Sequence, residues 1–457
     1  MLLTKDNLDK ISAAAENISI PATAEFALSE KVLQFGTGIL LRGLPDYFIC
    51  RANRRHIFNG RIILVKSTNS GDATLFAKQD NLFVHVFKDV QQTNHQEKFF
   101  INTAISKVLI AKNEWQKILD CAAQTELKII ISNTTEAGII LDEKDSIHFN
   151  PPKSFPGKLL SFLYQRYKIF NGSIESGMVI IPTELVVDNA DKLKTVLIAL
   201  AKINQLENNF IDWMIAANDF CNSLVDRIVV PDQQHKEVKF CRDELSVISE
   251  CYGLWAIETS SQKTKNLLSF SLNNDEIFIS ADIKKFRKLK LSLLNATHSF
   301  CCGLALLYHF KFVNDVMQDT VFKEFVQQLL LKEILPCVID AEISATEAEA
   351  FARTVLQRFS NPYIYHEWSA IANHYKEKIN ERCLPLIIKH YKISGEIPHK
   401  MALGFAGFLL YTKNSVDNIF SDKNFYNEDL KALPGFAETV NDYIKKINQG
   451  NDLSALI

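Results

Sequence analysis

The sequence predicts an α/β protein in two parts, a parallel-sheet domain over residues 1–282 and a mostly α-helical domain over residues 283–457. Three observations carry that prediction. Short apolar runs that end in polar loops, Val32 to Phe35, Arg61 to Val65, Leu127 to Ser132 and Gly177 to Pro182, alternate with helical stretches, the pattern of strands buried on both faces of a parallel sheet. The first of these runs leads through Gly36-x-Gly38 straight into a helical stretch. From about Ile283 onward the apolar spacing is helical, and no strand–helix–strand alternation recurs. A chain of 457 residues is also longer than one ordinary core fills.

Composition narrows the function classes. The chain is 47% apolar and 23% charged, as globular proteins are. Its formal net charge of -2 gives no global attraction to nucleic acid or to anionic membranes, so neither is expected as a partner. An anionic substrate must then be held by local cations. Met1 to Asp6 lacks the basic and apolar regions of a secretory signal, and runs such as Met401 to Tyr411 are too short to span a membrane. The nine cysteines include no Cys-x-x-Cys pair, which points to reduced, buried thiols in a cytoplasmic protein and away from disulfides or structural zinc. No metal is expected.

In chain order, Val32 to Phe35 reads as a buried strand and Leu40 to about Arg55 as a helix, so the glycines sit at a strand-to-helix turn. Gly36 suits a tight turn there, and Gly38 lets backbone amides approach a pyrophosphate at the helix N-terminus. Leu41 stands where a third glycine is usual. The pair is either a plain turn or the phosphate turn of a Rossmann-like dinucleotide-binding domain, and its context favours the second. After the next strand, NAD enzymes commonly place an acid on the adenosine ribose, whereas this chain has Lys66-Ser67-Thr68-Asn69, which leaves NADP open beside NAD.

Asn81 to Phe87 and Phe99 to Leu109 read as extended, and Trp115 to Ala123 as a helix. The strand ending at Ser132 opens into Asn133-Thr134-Thr135-Glu136-Ala137-Gly138. In open parallel sheets ligands bind beyond such strand ends, so Asn133 and Thr134 are candidates for nicotinamide or ribose, with a turn and N-cap as the alternative. Helices follow at Lys158 to Phe170, Asp191 to Ile203 and Phe210 to Asn218. Beyond them, Asn222-Ser223-Leu-Val-Asp226-Arg227 sets polar groups against an apolar strand start, as a turn with surface charges would also do.

The second domain opens on Lys290-Leu-Ser-Leu-Leu-Asn295-Ala-Thr-His298, inside an apolar helical run. On an α-helix Asn295 and His298 lie one turn apart, and Lys290 falls within an arc of about 140° of both. A lysine there either snorkels from the helix start or serves acid/base chemistry. Further helices are expected at Val321 to Cys337, Ala345 to Arg358, Tyr363 to Lys392 with a break at Pro385, and His399 to Lys413.

Four landmarks in order, Gln34-Phe35-Gly36-x-Gly38-x-x-x-Arg42-Gly, Asn222-Ser-x-Val-Asp226-Arg227-Ile, Lys290-x4-Asn295-x2-His298 and Asn361-Pro, make the chain resemble the polyol-specific long-chain dehydrogenase/reductase family, also called the mannitol dehydrogenase family, along nearly its whole length. Within it, Ile131 to Gly138, Ile181-Pro-x-Glu184-Leu185 and Leu384-Pro385 after Arg382 are similar to the uronate-reducing branch. The resemblance implies reversible reduction of the ketone of D-tagaturonate to D-altronate with NADH, Lys290 as general acid/base, and Asn295 and His298 polarising the carbonyl. It implies cofactor contacts at Phe35, Gly36, Gly38, Arg42, Asn133 and Thr134, and substrate contacts at Asn222, Asp226 and Arg227. A hexuronate carries a carboxylate and calls for a cationic clamp, with Arg227, His366, His374, Lys378 and Arg382 as candidates; Lys378 and Arg382, four apart, share a helix face, as a solvated surface pair also does. Fructuronate or a polyol is the alternative substrate, and a non-catalytic nucleotide-binding regulator the alternative class. One departure stands out: where mannitol dehydrogenases carry Cys-Asp-Asn, this chain has Thr183-Glu184-Leu185, and Asn189 follows four residues after Leu185.

Overall fold

The computed structural model describes residues 1–14, 18–67, 73–91, 94–134, 138–232, 238–415 and 430–457. The chain divides into two compact units, Met1–Ile283 and Lys284–Ile457.

The first unit is organised by a six-stranded sheet of β1 (Glu30–Phe35), β2 (Arg61–Lys66), β3 (Ile105–Ile110), β4 (Ile129–Ser132), β5 (Val179–Pro182) and β6 (Asp219–Phe220). All neighbours are parallel, and the spatial order is β3-β2-β1-β4-β5-β6. This is the Rossmann arrangement, and the order reverses between β1 and β4, the switch point at which such sheets bind their ligands. Alternate residues explain why the strands are apolar throughout. Leu33, Phe35, Ile63, Val65 and Ile130 pack under helices Phe155–Ile169 and Asn208–Ala217, while Val32, Ile62, Leu64, Ile129 and Ile131 pack on the other face with Phe48, Ile49 and Trp255.

Two smaller sheets complete the unit. One joins Ile18–Ser19, Asn94–Asn102, Phe83–Gln91, Val247–Ser249 and Val229–Pro231; the other joins Ser223–Asp226, Leu254–Glu258 and Ile277–Ser280. The stretch from Phe99 to Leu109 is thus divided between an antiparallel strand and β3. The helix expected from Leu40 to Arg55 is two helices, Ile39–Gly43 and Pro45–Arg54. Proline at position 45 removes an N–H and forbids helical geometry at Leu44, whose φ and ψ are -128° and -80°.

The second unit is helical, and its core surrounds Ala296–Leu307. That helix meets His399–Tyr411 backbone to backbone: a Cβ on Gly303 would stand 2.4 Å from the Gly407 carbonyl carbon. The segment expected to be helical from Tyr363 to Lys392 with a break at Pro385 is instead Trp368–Ile371, then a continuous run of Tyr375–Lys378, a π-helical turn Ile379–Cys383, and Leu384–Ser394. The break falls at His374, with φ +52°, and not at Pro385. Pro385 lies inside the helical run, directly after the π turn, and Lys378, Ile379, Cys383 and Leu384 all keep right-handed α geometry ahead of it.

Candidate active site

At the sheet's switch point the backbone makes the site. Gly36 has φ +127°, and a Cβ on it would lie 2.9 Å from the Asn133 carbonyl oxygen, so this turn admits glycine alone. Gly38 has nothing within 4 Å of its would-be Cβ, which leaves its amide surroundings open to a ligand. The Gly36 amide donates to the Val65 oxygen at 3.1 Å and the Asn133 amide to the Phe35 oxygen at 3.1 Å, drawing the ends of β2, β1 and β4 together.

The side chains expected around that turn are mostly engaged inward. The Phe35 ring is a core group, tilted against that of Phe155 with ring centroids 5.3 Å apart. The Arg42 guanidinium donates to the Leu245 oxygen and lies 5.9 Å from the Phe76 ring and 5.7 Å from the Phe83 ring, beside Asp46 and Asp243. Beneath the turn Gln34 and Asp46 are fully buried, and no hydrogen bond reaches their side-chain oxygens or the Gln34 amide nitrogen among the described residues. Burial raises the Asp46 carboxyl to about 7, although the adjacent Gln34 amide and Arg42 pull it back.

Asn133 donates to the Thr183 oxygen at 3.1 Å and the Thr183 hydroxyl at 3.0 Å. Thr134 donates to Glu184 Oε1 from its amide at 2.9 Å and its hydroxyl at 3.0 Å, and the Ser132 hydroxyl donates to Oε2 at 3.1 Å. Glu184 therefore ties the loop after β4 to β5; burial raises its carboxyl, and these bonds oppose the rise. Leu185, next to it, is 62% exposed. Thr68, Asn69, Thr135, Glu136 and Ala137 lie outside the described residues; Lys66 is buried and engaged.

The Asn222 to Arg227 landmark proves architectural. Asn222 Oδ1 accepts from the amides of Ala190 and Asp191 at 3.0 and 3.2 Å, capping helix Asn189–Ile203, while its amide donates to Asp191 and Glu258. Asn189 donates to the oxygens of Pro182, Glu184 and Ser223 and accepts from the Ser223 amide, which stitches β5 to the strand Ser223–Asp226. Arg227 is ion-paired with Glu276, donates to the oxygens of Gly43, Tyr252 and Cys251, and lies over Tyr47 and Phe48. Asp226 is buried and engaged at the end of its strand. The polar atoms of Asn222 and Arg227 are thus engaged within the first unit.

The second unit holds the other constellation. Lys290 to Asn295 is a π-helical turn set between α-helices Lys284–Leu289 and Ala296–Leu307, with the Ala296 amide bonded to the Leu291 oxygen. Such turns bond residues five apart, so Lys290 and Asn295 stand one turn apart on one face, closing the arc that an α-helix would leave between them. Hydroxyls repair the ladder nearby: Thr297 donates to the Leu293 oxygen at 2.7 Å and Ser299 to the Asn295 oxygen at 3.0 Å. Lys290 is 8% and His298 7% exposed.

His298 stacks on Phe359 with centroids 4.2 Å apart and meets His366 edge-on at 5.3 Å and Trp368 at 5.9 Å. Its Nε2 is buried without a hydrogen-bond partner among the described residues, as is His366 Nδ1. Burial holds the imidazole of His298 well below its ordinary pKa, and His366, Arg358, Arg382 and Lys378 deepen the effect. The structure thus brings Lys378, Arg382 and His366 around His298. His374 is exposed, and its backbone oxygen accepts from the Lys378 amide at 3.2 Å. Arg358 was missed in the sequence, because a cation in the last turn of a helix reads as a dipole partner; its position three residues ahead of the Asn361-Pro landmark was the available signal. Tyr375, on the helix of Lys378, donates to the Ser299 oxygen at 2.7 Å and accepts from the Gly303 amide at 2.8 Å, gripping the helix that carries His298.

Comparison with known proteins gives this arrangement a context. Residues 30–269 match the model of the mannitol dehydrogenase Rossmann domain, and residues 282–424 that of the mannitol dehydrogenase C-terminal domain. The chain is 35% identical over 414 residues to an altronate oxidoreductase of Bacillus subtilis, covering 90% of this chain and 83% of that protein. It is 32% identical over 424 residues to an altronate oxidoreductase of Halalkalibacterium halodurans, covering 90% and 81%. Among solved structures, mannitol 2-dehydrogenase of Pseudomonas fluorescens, in ternary complex with NAD and D-mannitol, is similar with a TM-score of 0.76 at 18% identity, covering 100% of this chain and 98% of that one. A D-sorbitol dehydrogenase aligns with a TM-score of 0.81 at 16% identity over 100% of both chains.

Proposed function

The chain belongs to the mannitol dehydrogenase family, and on that premise we propose that it is an NAD-dependent sugar-acid oxidoreductase that interconverts D-tagaturonate and D-altronate. The observation that carries the reading is the π-helical turn, which sets Lys290 and Asn295 on one face beside a buried histidine whose Nε2 has no partner among the described residues. The altronate oxidoreductases among the relatives support a uronate substrate, and the cations near His298 suit its negative charge.

The glycine turn fits a dinucleotide, since Gly36 occupies a cradle that a Cβ would fill and Gly38 is open above the helix start. Gly36 and Gly38 hold the pyrophosphate, and Asn133 and Thr134 border it at the end of β4. Bound there, NADH supplies the hydride.

The protein's own groups manage the oxygen. As negative charge builds on the substrate carbonyl oxygen, the Asn295 amide and the His298 imidazole, protonated on Nε2, donate hydrogen bonds to it. His298 remains a neutral donor because burial and the surrounding cations oppose its charging. Lys290 gives the proton in reduction and, as the free amine, removes it in oxidation. Lys378 and Arg382 attract the carboxylate end. With nine free thiols, eight of them buried, the protein is suited to a reducing cytoplasm. No helix among the described residues is long and apolar enough to cross a membrane.

Loss of the reduced cofactor's absorbance tests this, with NADH and NADPH each offered with tagaturonate, fructuronate and fructose. Consumption of NADH with tagaturonate in preference to the others is the expected result. Preference for another ketone would move the substrate, and no turnover with any would overturn the reading.

A further inference from the structure

We propose that Glu184 is the counter-charge of the oxidised cofactor: its ionised carboxylate, at the nicotinamide end of the sheet, raises the affinity for NAD, whose nicotinamide ring is a cation, relative to NADH, whose ring is neutral. The inference rests on the reading of the glycine turn as a dinucleotide site and concerns the far end of that dinucleotide.

Placement comes first. A sheet of order β3-β2-β1-β4-β5-β6 binds a dinucleotide across its switch point, one mononucleotide to each half, with the adenosine ribose near the end of β2. The nicotinamide half therefore belongs beyond β4 and β5. Glu184 follows the last residue of β5 by two positions, and it is fixed there at both backbone and side chain. Its backbone oxygen accepts from the Val186 amide at 2.7 Å and from Asn189 Nδ2 at 3.1 Å. Its carboxylate reaches across to β4, where Oε1 takes the two bonds from Thr134 and Oε2 the one from the Ser132 hydroxyl. An amide N–H can only donate, so Oε1 is an acceptor, and three donors on one carboxyl favour its ionised form.

What the carboxylate does not have is a cation. Glu184 is 3% exposed, its three side-chain partners are neutral, and no ion pair reaches it among the described residues. Other carboxylates of the same unit are treated differently: Glu25 is paired with Arg54, and Glu276 with Arg51 and Arg227. A buried charge without an opposite charge is costly, and a cation that arrives with a ligand offsets the cost. The ring of NAD is such a cation, and hydride addition neutralises it, so one charge separates the two forms that the site must hold. Being buried, Glu184 works by its field and by holding Thr134, as a positioning residue and not by contact with the reacting atoms.

The test is Glu184→Gln in the full-length protein. Glutamine has the same shape: its carbonyl oxygen can keep both bonds from Thr134 while its amide donates to the Ser132 hydroxyl oxygen, so the charge goes and the bonds stay. Fluorescence titration with NADH, and displacement of NADH by NAD, should show the affinity for NAD falling roughly tenfold relative to that for NADH, the scale of one charge acting through partly screened protein. The thermal unfolding midpoint of the unliganded protein should hold or rise, because a charge without a cation has left the interior. Ser132→Ala removes one bond and leaves the charge, and it should leave the NAD to NADH ratio in place. An unchanged ratio in Glu184→Gln, equal losses of both nucleotides, or a shift as large in Ser132→Ala would overturn the counter-charge. So would a Glu184→Gln protein too unstable to fold, which would assign the carboxylate to the scaffold. If the parent protein binds neither nucleotide, the dinucleotide reading falls and the inference with it, whereas failure to turn over a sugar acid leaves these titrations decisive.

Discussion

The two units use polar residues in opposite ways. In the first, the side chains that mark the family are turned into scaffold: Asn222 caps a helix, Asn189 stitches two strands, and Arg227 is held by Glu276 and three carbonyls. What that unit offers a ligand is backbone, at Gly36 and Gly38. In the second, the marked side chains are themselves offered, with imidazole nitrogens buried and unbonded among the described residues. A conserved-looking motif therefore does not announce whether it builds the floor or does the chemistry. The accounting of buried hydrogen bonds does.

Four substitutions can break or sharpen that contrast. Lys290→Ala should lower kcat by about 10²- to 10⁴-fold, the usual worth of a positioned acid/base group, with NADH affinity held, as measured by steady-state kinetics and cofactor fluorescence. An unaltered kcat would remove the second unit's claim to the chemistry.

Asp46→Asn probes the exception in the first unit, a buried carboxyl raised to about 7. The folded protein binds this proton more tightly than the unfolded chain, so the group's contribution is intact below its ordinary value of 3.8 and declines until the pH passes about 7. The loss is on the order of 4 kcal/mol at most. The variant should accordingly flatten the decline in stability between about pH 5 and pH 8, seen by urea unfolding at each, and should be the more stable protein at the upper end.

Gly36→Ala forces a side chain into a left-handed turn against the Asn133 oxygen, and should cost about 1–3 kcal/mol of stability and weaken NADH binding at least tenfold. Equal loss of stability with intact cofactor binding would make the turn mere scaffold. Smallest of all, Asn222→Ala should remove a helix cap worth about 1 kcal/mol while the KM for the sugar acid stays put. A raised KM would return Asn222 to the substrate.

The sheet was legible in the sequence because strands buried on both faces leave continuous apolar runs, and the glycine turn because its context is local. Pro45 was equally local, yet its effect on Leu44 was passed over in reading one helix from Leu40 to Arg55. The His298 cluster was legible only in part. Lys290, Asn295 and His298 are close in sequence, whereas Arg358 and His366 reach them only through packing. The inward direction of the Phe35 and Arg42 side chains was hidden for a related reason: a motif gives residue type and spacing, but burial decides where the side chain points. The π geometry was not visible at all, since nothing in Lys-Leu-Ser-Leu-Leu-Asn distinguishes it from α.

That turn also has a consequence for how the chain can vary in length. An ordinary α-helix that loses a residue turns one flank by about 100° against the other and unseats whatever was packed there. A π turn holds one residue more than the α turn it replaces, so losing a residue between Leu291 and Leu294 would leave Lys284–Leu289 and Ala296–Leu307 facing as they do now. Lys290 and Asn295 would then be four apart on a plain helix, still neighbours. The turn that holds Lys290 and Asn295 is thus a place where a relative can differ by a gap without a change of fold, and an alignment that forbids gaps inside helices would misplace the lysine by one position.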